Sequence, residues 1–71
     1  MILKYATSRD NETAMWNYVD GIKDASVFFD NELQCTCVNI TRYNGDEFGI
    51  ALHNTAYLLN ESGKTIERLT L

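Results

Sequence analysis

The chain has 71 residues, a formal net charge of −4, 45% hydrophobic and 11% aromatic residues, and no proline. A chain of this length makes one domain, residues 1–71, that buries only about 60% of the surface it exposes when unfolded, so a deep internal active site is not expected. Its basic residues stand singly at Lys4, Arg9, Lys23, Arg42, Lys64 and Arg68, which leaves no cationic stripe for a phosphate backbone, and direct nucleic-acid binding is not expected.

Residues Ile2 to Thr7 read as a short apolar strand, followed by the polar break Ser8-Arg9-Asp10-Asn11. Beyond it, Met15, Tyr18, Val19 and Ile22 recur at helical spacing. Asp10 or Asn11 can cap such a helix and Gly21 can end it, so the reading favoured here is a helix over about 11–20. The rival reading takes Thr13 to Val19 as a strand, with Trp16 and Tyr18 alternating with polar neighbours and Asp20-Gly21 as a hairpin turn.

Ser26 to Asp30 reads as a strand, Asn31-Glu32 as a turn, and Leu33 to Tyr43 as the longest strand. This last segment changes phase. Leu33, Cys35 and Cys37 share one face while Val38 and Ile40 occupy the other, which predicts a central strand or a bulge near Cys37. Asn44-Gly45 is the strongest hairpin signal, because a two-residue turn needs positive φ at both central positions. Such a turn sets Arg42 opposite Glu47, Ile40 opposite Gly49, Val38 opposite Ala51 and Cys37 opposite Leu52, pairing large residues with small ones.

The chain continues through Ala56-Tyr57-Leu58-Leu59, turns at Glu61 to Lys64 with Gly63 available for the left-handed position, and returns as Thr65 to Leu71. Asn54 as the cap of a short helix is the competing assignment. Together these elements predict an α+β fold: an antiparallel, mainly hairpin-connected sheet of about five strands with one short helix on one face. An all-β small barrel or sandwich is the alternative.

No motif carries catalytic chemistry. Ser62-Gly63-Lys64-Thr65 has the ending of a phosphate-binding loop, but Leu58 stands where that loop needs glycine. Cys35 and Cys37 offer two soft ligands, and the predicted register pairs His53 with Thr36, on the opposite face, so neither a metal site nor a Cys-His nucleophile pair is expected. The cysteines read as free thiols, behaving as small hydrophobes. No catalytic residue, metal or cofactor is assigned, and the protein reads as a non-enzyme.

The aromatic residues are too many for one side of one sheet. Exposed Trp and Tyr with neighbouring Arg form protein-binding hot spots, and the candidate binding residues are Trp16, Tyr18, Arg42, Tyr57 and Arg68. A single core of this size rarely supplies more than about 3–5 kcal/mol, so a homodimer or higher oligomer is also expected. No secretory h-region or bilayer-spanning stretch is present in the sequence, which predicts a cytoplasmic protein without membrane contact.

The string from Ala56 to Arg68, in a small acidic chain, resembles the short accessory proteins of phages and prophages of Gram-positive bacteria. The resemblance implies a phage-encoded, non-enzymatic interaction protein that binds and inhibits a host protein or defence system. The alternative is a homo-oligomer that sequesters a small nucleotide-like metabolite at subunit interfaces, with Arg9, Arg42 or Arg68 on the phosphate and Trp16 or Tyr57 on the base.

Overall fold

The computed structural model describes residues 1–6, 15–53 and 55–69. Among these the chain is all-β, with strands β1 (Ile2–Ala6), β2 (Trp16–Val19), β3 (Ile22–Asp30), β4 (Cys35–Arg42), β5 (Glu47–Ala51), β6 (Ala56–Leu59) and β7 (Thr65–Leu69). They form two antiparallel sheets, one of four strands in the order β2-β1-β6-β7 and one of three in the order β3-β4-β5.

The α+β expectation is therefore corrected. Residues 16–19 form a strand, and the proposed caps Asp10 and Asn11 lie outside the described residues, as does Asn54. The apolar positions that fit a helix do not share a face: Met15 and Tyr18 are exposed, Val19 packs against the core, and Ile22 is buried in the other sheet. Alternation decides the segment, because Val19 opposite Leu3 and Asn17 opposite Tyr5 turn inward while Trp16 and Tyr18 turn outward. The all-β alternative matches this architecture.

Asp20-Gly21 is a corner rather than a hairpin. Gly21 has φ 65°, a left-handed conformation that glycine adopts without steric cost. The Ile22 N–H donates to the Met1 carbonyl at 3.0 Å and the Met1 amine donates to the Ile22 carbonyl at 2.9 Å. Strand β1 is thus paired with β2, while Met1, the residue before it, is bonded to the start of β3. One continuous stretch of chain passes between sheets, the device by which packed sheets share a corner.

The β4-β5 hairpin is offset by one residue from the predicted register. Gly45 N–H donates to the Arg42 carbonyl at 3.0 Å, and Arg42 N–H donates to Asp46 at 2.9 Å. Gly45 (φ 96°) takes the left-handed position, and Asn44 is not among the positive-φ residues. The loop therefore has three residues, Tyr43-Asn44-Gly45, with the geometry of a type I turn followed by a bulge. Asn44 braces it by accepting from the Asp46 N–H at 3.0 Å and donating to the Asp46 carboxylate at 3.1 Å. Thr41 consequently faces Glu47, Ile40 faces Phe48, Asn39 faces Gly49, Val38 faces Ile50 and Cys37 faces Ala51. Large apolar residues pair with each other on the inner face, contrary to the large-against-small expectation.

Strand β4 is central in its sheet, as its two-sided apolar pattern predicts, but the register irregularity falls in β3 between Ile22 and Asp24 rather than near Cys37. The last hairpin follows the sequence reading. Gly63 has φ 88°, and the Asn60 side-chain oxygen accepts from Ser62 N–H (3.0 Å), Ser62 Oγ (2.7 Å) and Lys64 N–H (2.9 Å).

The core joins the sheets. Leu3, Ala56, Leu58 and Leu69 from the four-stranded sheet pack with Ile22, Val38 and Ile40 from the other, and Leu52 lies in the same cluster. The Cα extents of 28 × 28 × 16 Å describe a thin slab. Two sheets about 10 Å apart account for that thickness, and no cavity opens among the described residues. Among the described residues no helix is long and apolar enough to cross a membrane.

Candidate functional site: an aromatic and cationic sheet face

Leu3, Leu58 and Val19 turn inward, so the residues beside them in each strand turn outward. The register then aligns one row across the whole outer face of the four-stranded sheet. Tyr18 of β2 stands opposite Lys4 of β1, Lys4 stands opposite Tyr57 of β6, and Tyr57 stands opposite Arg68 of β7. Trp16 lies two residues along β2 from Tyr18 and shares its face. Directly opposite cross-strand side chains lie close enough to interact, and aromatic rings also reach diagonal neighbours.

Trp16 and Tyr57 meet above β1, their ring centroids 6.1 Å apart and their planes inclined by 50°. This tilted arrangement is one that ring quadrupoles favour. Ala6 is the residue directly opposite Trp16, and its small side chain leaves room for the indole to lean across the strand. The Lys4 Nζ sits 4.8 Å from the Trp16 ring centroid and 5.8 Å from that of Tyr57. Both distances lie within cation–π range. The ammonium and the two rings hold one another in place while Tyr18 remains 60% exposed and Trp16 39% exposed. Arg68, exposed at the sheet edge, ends the row.

Of the sequence-predicted residues, Trp16, Tyr18, Tyr57 and Arg68 share this face. Arg42 does not. It lies at the β4 end of the other sheet, opposite Ile22, with its Nη2 3.3 Å from the Asp20 carboxylate. An added Cβ at Gly21 would stand 3.7 Å from Arg42 Nη2 and 3.8 Å from its Nε, so the guanidinium packs beneath the corner. Arg9 lies outside the described residues.

Lys4 was not among the predicted site residues. Its signal is present in the sequence, since Ile2-Leu3-Lys4-Tyr5 places one cation at an outward position of an otherwise apolar strand. Its aromatic neighbours come from β2 and β6, and only the strand order β2-β1-β6-β7 brings them to it.

The hairpin offset also changes the cysteine argument. The predicted register set His53 opposite Thr36, whereas the observed ladder continues with Leu52 N–H donating to the Thr36 carbonyl at 2.9 Å. Leu52, not His53, therefore stands at Thr36, and His53 lies in the bend beyond β5. Among the described residues no three His, Cys, Asp or Glu side chains come together as a metal-holding group. Cys35 is half-buried, Cys37 is buried, and both are free thiols. Burial raises the Cys37 pKa above its ordinary value of 9.0, with the Cys35 thiol and the Asp30 charge adding in the same direction.

No family model, curated protein or solved structure matches the chain.

Proposed function

We propose that the protein is a non-enzymatic interaction protein whose binding surface is the outer face of the four-stranded sheet. The observation that carries this reading is the row Tyr18-Lys4-Tyr57-Arg68 with Trp16 against it. Rigid aromatic rings with one cation among them and a second at the edge, displayed on a flat surface, supply large contact area at low entropic cost, which is the composition of protein-binding hot spots. A partner that suits it presents apolar side chains bordered by carboxylates, since Lys4 and Arg68 contribute positive charge locally on a chain of net charge −4. In the cytoplasmic, phage-encoded setting that the sequence resembles, the partner is a host protein or a component of a defence system, and binding inhibits it.

The second reading, a homo-oligomer that holds a nucleotide-like metabolite at subunit interfaces, is favoured by one observation. The Lys4 ammonium beside the Trp16 and Tyr57 rings pairs a phosphate-binding charge with stacking surfaces. The slab has no internal cavity among the described residues, so such a ligand would need a second copy to enclose it.

Native mass spectrometry of freshly purified protein separates the two. A retained host protein, lost in Trp16→Ala/Tyr57→Ala, supports the first reading. A homo-oligomer carrying a nucleotide-sized mass supports the second. Retention of the same host protein by the double variant contradicts the proposed face.

A further inference from the structure

We propose that Cys35 and Cys37 are a redox-modification site that closes reversibly into an intramolecular disulfide by exchange with a small disulfide of the glutathione class. The two sulfurs lie 3.8 Å apart on the same face of β4. Residues i and i+2 of an extended strand have Cα atoms about 6.4–6.8 Å apart, inside the upper limit for a disulfide, whose sulfurs must approach to about 2.05 Å. The bond also needs the two Cβ atoms within about 3.5–4.5 Å of each other, so β4 must pucker locally between Cys35 and Cys37 for it to form.

Exposure sets the order of events. Cys35 is half-buried and reachable near the β3-β4 turn, whereas Cys37 is 4% exposed and lies in register between Phe28 of β3 and Ala51 of β5. The Cys35 thiolate attacks one sulfur of the incoming disulfide, forming a mixed disulfide and releasing one thiolate. Cys37 then gives up its proton and attacks Cys35 Sγ, expelling the second small thiol. The two protein thiols are oxidised, the one small disulfide is reduced to two thiols, and both protons leave with those thiols. Cys37 stays protonated until this second step because its burial and its Cys35 and Asp30 neighbours disfavour the thiolate. An i, i+2 bond at the edge of the allowed separation stores strain, and strained disulfides are the readily reduced ones. The pair is therefore a labile redox element rather than a permanent staple, and it acts on the central strand of its sheet.

The test is intact-mass analysis of the full chain equilibrated in glutathione/glutathione disulfide buffers and quenched with an alkylating reagent. The wild type is expected to lose two hydrogens and both alkylation sites together, and to recover them in dithiothreitol. Cys37→Ser is expected to stop at one glutathione on Cys35. Cys35→Ser is expected to react ~10-fold more slowly, because its remaining thiol is buried. Two glutathiones on the wild type, an intermolecular disulfide dimer, or a native protein that stays reduced while its urea-unfolded form oxidises would overturn the proposal. The wild-type measurement stands even if a variant fails to fold.

Discussion

Ile40→Ala tests the claim that two sheets share one core. Ile40 is fully buried and stands between Ala25 of β3 and Phe48 of β5. The substitution removes three carbons, which at about 0.8 kcal/mol each is roughly 2.4 kcal/mol of lost burial. The unfilled space adds to this, and Ile→Ala changes in cores cost about 2–5 kcal/mol in all. Against a total stability of about 3–5 kcal/mol for a domain of this size, the variant should populate its unfolded state substantially at 25 °C. The assay is urea denaturation followed by the fluorescence of the single tryptophan. Trp16 sits on the other sheet, so it reports the Ile40 change only if both sheets unfold together. Ile66→Ala, at an exposed position of β7, serves as the control and should shift stability by less than about 0.5 kcal/mol. A Trp16 transition unmoved by Ile40→Ala, while far-ultraviolet circular dichroism shows the loss, would refute the common core.

Four further outcomes follow from the geometry. Gly45→Ala should cost about 1–2 kcal/mol, since Gly45 has φ 96°, whereas Gly49→Ala, whose Cβ would meet only the Val38 carbonyl at 3.9 Å, should be close to neutral in the same urea assay. Asn60→Ala removes an oxygen that accepts three hydrogen bonds in the β6-β7 turn and should cost about 1–2 kcal/mol by thermal or urea unfolding. Asp20→Asn breaks the ion pair to Arg42, and because the Asp20 side chain is 83% exposed the loss should stay below about 1 kcal/mol and fade in high salt. For the reduced protein, the folded-state pKa of Cys37 lies above its unfolded value near 9.0, so the unfolded chain releases that proton first. Its stabilising contribution is complete below the unfolded pKa and is lost as pH rises through the folded one. Stability measured above pH 9 should therefore fall more steeply with pH in the wild type than in Cys37→Ser, and equal slopes would contradict it.

Turn chemistry was legible in the sequence where one residue type answers one backbone demand. Gly63 takes the left-handed position of the last hairpin, and the two-sided apolar pattern of Val38, Ile40 and Cys37 marks a central strand. The misreadings share a cause. Trp16 to Ile22 fits both periods over so short a window, and only pairing with β1 decides it, a tertiary choice that overrides local spacing. Asn44-Gly45 marks a hairpin correctly, but the composition does not distinguish a two-residue loop from a three-residue one, and that single residue moved every β4-β5 pair and the position of His53. The candidate face was half legible. Aromatic excess nominated Trp16, Tyr18 and Tyr57, while Lys4 joins them only through the non-sequential β1-β6 pairing.

The most direct test of the binding face is site-specific photocrosslinking in cells that express the protein, with p-benzoylphenylalanine replacing either Tyr18 or Tyr43. Both positions are strongly exposed, but Tyr18 lies in the aromatic row and Tyr43 in the β4-β5 loop of the other sheet. The proposed face predicts a discrete protein adduct from position 18 that is absent from position 43 and disappears when Trp16 and Tyr57 are also changed to alanine. The same adduct at equal yield from position 43, or from position 18 in the alanine background, would contradict it.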